Sequence, residues 1–115
     1  MTDITLVPQT LTDVGVEATR NGSLSLGDNY FFKNNGTTIL NFIKSSASDC
    51  VVTIVTVATL GGLAVADRTI TVTGSTGDIF VGPFPPAIYN DANGNVEFTL
   101  ATNIDGLDVA VIQYT

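Results

Sequence analysis

The chain has 115 residues, 44% of them apolar and 13% charged, which fits one packed domain and argues against a disordered segment. Eleven acids face four scattered cations, Arg20, Lys33, Lys44 and Arg68, for a net charge of −7. So few cations cannot track a phosphate backbone or hold an anionic membrane surface, and neither a nucleic-acid nor a membrane partner is expected.

Thr (17), Val (13) and Ile (9) make up about a third of the chain. β-Branched side chains lose rotamer freedom in helices and pack well on pleated surfaces, so this excess predicts an all-β fold. The opening Met1-Thr2-Asp3-Ile4 lacks the basic and apolar regions of a secretion signal. Cys50 is the single cysteine, so no intrachain disulfide forms, and synthesis in a reducing cytoplasm is expected.

Residues 1–28 read as an extended arm plus a short strand. Ile4, Leu6 and Pro8 alternate, and Pro8, without an N–H, restricts this start to an edge or an arm. Val14 and Val16 flank Gly15, and Asn21-Gly22 reads as a turn. Residues 29–115 read as the sandwich proper. Tyr30 to Lys33 is a short apolar strand closed by Asn34-Asn35-Gly36, whose Asn-Gly pair suits a hairpin turn. Residues 37–44 form the next strand. Residues 50–57 are nearly all β-branched, as in a central strand covered on both faces. Thr59-Leu60-Gly61-Gly62 breaks that run.

Residues 68–73 alternate, with Ile70 and Val72 inward and Thr69, Thr71 and Thr73 outward. After a turn at 74–77, Phe80 lies on one face of a short strand and Ile79 and Val81 on the other. Pro83, Pro85 and Pro86 then end the ladder. Residues 91–94 read as another hairpin turn, followed by strands at 96–100 and 109–114. The pattern predicts a single-domain β-sandwich of about eight short antiparallel strands, with a jelly roll as one form, carrying an extended N-terminal arm.

Little in the chain carries chemistry. No histidine is present, which removes Ser–His and Cys–His nucleophile pairs and the commonest zinc ligand. Glu17 and Glu97 have no spacing that marks a glycosidase pair. Residues 90–95 resemble a calcium loop faintly but lack its distal glutamate, so they read as a turn. Asn21-Gly22-Ser23 and Asn35-Gly36-Thr37 match the glycosylation pattern and read as turns. No enzymatic activity, cofactor, metal or small-molecule substrate is expected.

Two segments stand apart: residues 62–67, apolar where a loop should be polar, and Gly82-Pro83-Phe84-Pro85-Pro86. Burial against a neighbouring subunit or against the end of the sandwich accounts for both. Phe84, framed by prolines, either plugs that end or anchors a partner. Asp67-Arg68 is either a local ion pair or a subunit contact. Leu63, Val65, Asp67, Arg68, Phe84 and Pro85 are therefore candidate partner-binding residues.

The blocks Gly62-Leu63-Ala64-Val65-Ala66-Asp67-Arg68 and Gly82-Pro83-Phe84-Pro85, with Tyr89-Asn90 after them, resemble small virion structural proteins of tailed bacteriophages and prophages, most of all capsid decoration (head-stabilising) proteins. The resemblance extends over residues 30–112, through Gly36-Thr37-Thr38-Ile39-Leu40 and Val52-Thr53-Ile54. It implies a non-enzymatic protein that binds the major capsid protein on the outer capsid surface, often as a trimer, and that is made in a bacterial cytoplasm. The arm at residues 2–8 is then expected to add a strand to a capsid edge, which makes Ile4, Leu6 and Pro8 candidate partner-binding residues as well. Two other readings stand beside it: a glycan-binding or host-recognition module of a phage tail or fibre, and a tail or head–tail adaptor component.

Overall fold

β-Branched and aromatic runs form the strands, and alternation decides which face of each strand is buried. A computed structural model describes residues 3–22 and 24–114. Thr2 of the expected arm and Ser23 of the first Asn-Gly-Ser pattern lie outside the described residues. In chain order the elements are β1 (Asp3–Leu6), β2 (Gln9–Thr10), β3 (Arg20–Asn21), β4 (Asn29–Lys33), β5 (Thr38–Lys44), β6 (Cys50–Ile54), β7 (Thr59–Leu60), β8 (Leu63–Ala64), β9 (Arg68–Val72), β10 (Asp78–Val81), one helical turn α1 (Pro86–Tyr89), β11 (Asn95–Ala101) and β12 (Leu107–Gln113).

The strands form two five-stranded sheets and a two-stranded ribbon. The first sheet runs β1-β4-β11-β6-β9. The second runs β10-β5-β12-β2, with β3 also on β12, and the ribbon is β7-β8. This is the expected all-β sandwich. Its sheets are mixed rather than wholly antiparallel, because β1 pairs β4 in parallel and β2 pairs β12 in parallel. The strand order also departs from the two four-stranded sheets of a jelly roll.

The inner faces meet in one core. Tyr30, Phe32, Val52, Ile54, Val72, Val96 and Phe98 come from the first sheet, and Leu40, Phe42, Leu107, Val109 and Val111 from the second. Phe42 meets Phe98 edge-on across the sandwich, with centroids 5.7 Å apart, while Tyr30 stacks on Phe98 at 5.3 Å. Each such side chain contributes about 1.5–3 kcal/mol by leaving water. The buried Tyr30 hydroxyl accepts a hydrogen bond from the Ser25 N–H at 2.8 Å.

The N-terminal segment runs extended and is held along the domain. β1 is an edge of the first sheet with Leu6 buried and Ile4 packed against the core. After Val7 and Pro8 the chain crosses to the second sheet, where β2 pairs with Ile112 and Gln113. The strap thus joins one edge of each sheet. Residues 11–19 leave that edge and return at β3, and the Gln9 side chain closes the loop: its Oε1 accepts from Thr19 N at 2.8 Å and its Nε2 donates to Glu17 O.

Three local expectations change. β6 buries only Cys50, Val52 and Ile54 and stops at Ile54, so it is covered on one face rather than two. Asn35-Gly36 joins strands of different sheets, so it is a corner and not a hairpin. Residues 91–94 follow a helical turn rather than a strand. There the Asp91 carboxylate accepts from Asn93 N at 2.8 Å and Asn95 N at 3.1 Å, shaping a turn.

Candidate functional site

The apolar loop and the proline-rich exit meet at one end of the sandwich. Gly61 and Gly62 both have positive φ, +60° and +83°, as the tight turn of the β7–β8 hairpin requires. That hairpin is a ribbon separate from both sheets, with Leu63 75% exposed and Val65 39% exposed. Its base is fixed to α1, because Val57 N and Ala58 N both donate to Ile88 O, at 2.9 and 3.2 Å. Val57 and Ile88 are themselves exposed and extend the apolar surface.

Asp67 and Arg68 do not face each other. The Asp67 carboxylate accepts from Thr56 N at 2.9 Å and Thr56 Oγ1 at 3.2 Å, and so clamps the exit of the hairpin. Arg68 Nε donates to the Tyr89 hydroxyl at 3.1 Å, joining the start of β9 to α1. All three bonds are intramolecular, so each residue of the pair is tied separately to the chain, Asp67 to Thr56 and Arg68 to Tyr89.

Gly82 carries the chain out of β10 with φ +123°, and a Cβ there would meet Thr38 O at 3.1 Å and Ile39 Cα at 3.2 Å. The Gly82–Pro83 peptide is cis. The chain then turns inward, and Phe84 is only 2% exposed, packed against Phe32 at 5.6 Å and edge-on to Tyr89 at 5.3 Å. Of the two roles open to Phe84, the structure shows the plug; its ring is not free to anchor a partner. Pro85, next to it, is exposed.

Between β9 and β10 lies a groove of about 620 Å³, floored by Ile70, Ile79 and Val81 and walled by Arg68, Tyr89 and Pro83. β9 is the last strand of the first sheet and β10 the first of the second, so an open strand edge borders each side. Phe80, 69% exposed, stands at the rim.

The nine candidate residues therefore divide. Leu63 and Val65 lie on the hairpin and Asp67 at its exit, while Arg68, Phe84 and Pro85 line the groove beside α1. Ile4, Leu6 and Pro8 sit on the strap, at the opposite edge of the first sheet from β9. Sequence reading passed over Val57, Phe80 and Ile88 as surface residues. Phe80 carried a signal, since its phase in β10 is opposite to that of the half-buried Ile79 and Val81.

Two groups have shifted acidities. Burial pushes the Cys50 thiol up, against a smaller downward pull from the nearby Lys44. Glu97 is held above the usual carboxylate range by partial burial and by repulsion from Asp3, Asp91 and Asp67. Neither lines the groove. Among the described residues, no three Asp, Glu or Cys side chains cluster as metal ligands, and no helix is long and apolar enough to cross a membrane. No protein-family model, curated protein or solved structure matches the chain.

Proposed function

We propose that this chain is a structural protein of a bacteriophage particle that docks on the capsid shell through its hairpin end, as a decoration protein does. The observation that carries the reading is the hairpin itself: Leu63 and Val65 are exposed on a tip tied at its base to α1. Exposed apolar side chains on a fixed support suit a protein interface, because little conformational entropy is lost on binding. The resemblance through residues 62–68 and 82–85 falls on this same end. The reading also includes a trimer on the shell, in which three weak contacts combine into strong attachment. The capsid partner is the major capsid protein.

In this reading the hairpin end, rather than the strap, makes the main contact, because Ile4 and Leu6 pack against the chain's own core. The test is occupancy on particles of the phage or prophage that encodes the chain, read by cryo-electron microscopy. Density on the outer shell with the hairpin buried is expected. Leu63→Asp with Val65→Asp should lower occupancy at least tenfold while the domain stays folded. Density confined to the tail, or full occupancy by the double variant, overturns the reading.

A further inference from the structure

The hairpin explains the exposed apolar tip but not the groove beside it. Three features of that groove belong together. First, the outer edge of β9 is open along five residues, Arg-Thr-Ile-Thr-Val, and carries no proline or lysine of the kind that blunts edges against pairing. Second, the groove floor is apolar, built by Ile70 of β9 and by Ile79 and Val81 of β10. Third, among the described residues that line it the one charged group is Arg68, in a chain whose net charge is −7.

The state of Arg68 decides what the groove takes. Tyr89 accepts from Nε and fixes the plane of the guanidinium. The fork formed by the two Nη groups is left for a ligand, and that fork matches a carboxylate in bidentate geometry. Among the described residues no carboxylate meets it. Lys33 and Lys44, by contrast, are engaged within the chain: Lys33 Nζ donates to Asn93 O, and Lys44 Nζ to Ser46 Oγ and Asp105 O.

We propose that the β9–β10 groove binds an extended segment of a partner protein, paired to the open edge of β9, with an acidic side chain on the Arg68 guanidinium and an apolar side chain over Ile70. Arg68 and Ile70 are two residues apart on one face of the strand, so the recognised segment carries its acid and its apolar residue two positions apart. Main-chain pairing supplies affinity, and the Arg68 and Ile70 positions supply selectivity. The inference deepens the docking reading and rests on it for the presence of a protein partner.

A random decapeptide display library, selected in parallel on the folded wild-type protein and on Arg68→Gln, tests the proposal. Wild type should enrich peptides with Asp or Glu two positions from Val, Ile, Leu or Phe, and Arg68→Gln should not. The best selected peptide, made synthetically, should shift the amide resonances of residues 68–72. Its affinity should fall at least tenfold in Arg68→Gln and less in Arg68→Lys, which keeps the charge but not the fork. Both variants lose the bond to Tyr89, so a cooperative thermal transition well above the assay temperature in each, equal between the two, separates lost binding from lost folding. No enrichment, enrichment without an acid, or shifts that map away from β9 overturns the proposal. Particle occupancy separates the two readings. Loss with the hairpin variants but not with Arg68→Gln sinks the groove and leaves docking standing. Acid-dependent peptide binding at β9 by a protein absent from the capsid upholds the groove and removes the phage role.

Discussion

Asn34 and Asn90 hold each other by two reciprocal hydrogen bonds. Asn34 Nδ2 donates to Asn90 Oδ1 at 2.7 Å, and Asn90 Nδ2 donates to the Asn34 carbonyl at 2.8 Å. Asn34 Nδ2 also donates to Phe84 O at 2.9 Å, and Asn34 Oδ1 accepts from Gly36 N at 3.0 Å. One side chain, 4% exposed, thus ties the β4–β5 corner to the proline exit and to the end of α1. Asn34→Ala leaves several of these groups without partners where water enters poorly. A loss of about 2–3 kcal/mol is expected, seen as a lower urea midpoint with an unchanged slope. Asn34→Asp should cost at least as much, because it sets a buried carboxylate oxygen against the acceptor oxygens of Phe84 and Asn90.

Phe80 and Phe84 lie four residues apart and should respond oppositely. Phe84→Ala empties the space against Phe32 and Tyr89 and should cost about 3–5 kcal/mol. Phe80→Ser touches an exposed ring and should change stability by less than about 0.5 kcal/mol. Thermal unfolding of the two variants side by side checks this. Equal losses would mean that Phe80 packs against the body of the domain.

The sandwich was legible in the sequence because period-two alternation fixes which side chains face inward. Val96, Phe98 and Leu100 are buried as their phase requires. Pairing partners were not legible, since local pattern says nothing about which strand comes to lie alongside. Asn35-Gly36 shows this: Gly36 takes the positive φ the motif suggests, +92°, yet the strands on either side enter different sheets. The strap escaped for the same reason, because a parallel edge pairing leaves no turn signal between its partners. At the candidate site, Leu63 and Val65 were visible as apolar residues in a loop. The Arg68–Tyr89 bond spans 21 positions and had no sequence signal.

Glu97 sets a pH dependence with a definite sign. Its carboxyl is raised in the folded chain, first by burial and then by Asp3, Asp91 and Asp67. The folded state therefore binds this proton more tightly than the unfolded chain, whose value is about 4.3. The resulting stabilisation is fully present below that value and is lost as pH rises through the folded one. At pH 7 the ionised group is a liability, softened by its partial exposure. Glu97→Gln should raise stability at pH 7 by less than about 1 kcal/mol, and the gain should vanish below about pH 4. Urea titrations at the two pH values measure it. A gain that persists unchanged in acid would mean that the effect is not the charge.

Cys50 is fully buried on β6, and its thiol is held in the neutral form by that burial. Only the thiolate reacts quickly with alkylating reagents. Native protein at pH 8 should consume iodoacetamide at least a hundredfold more slowly than the urea-unfolded chain, read by mass spectrometry. Fast labelling under native conditions would show that the Cys50 end of β6 opens readily.

The strap makes the last prediction, because it separates a stabilising element from a binding arm. β1 covers the outer edge of β4 and β2 covers part of the edge of β12, so residues 3–10 replace the β4 edge, with its aromatic run, by a strand that borders the sheet. Leu6, 7% exposed, is the buried anchor of the strap. Leu6→Ala should cost about 2–3 kcal/mol, as expected for a leucine at the margin of a core. Removal of residues 1–8 should cost more, because it also bares the β4 edge. An uncovered edge pairs readily with another chain, so the truncated protein should self-associate in a concentration-dependent way. Urea midpoints and mass measurement in solution read both effects. A truncated chain that unfolds at the wild-type midpoint and stays as dispersed as wild type would show that residues 1–8 are a loose arm, and would return them to the list of contacts with a shell.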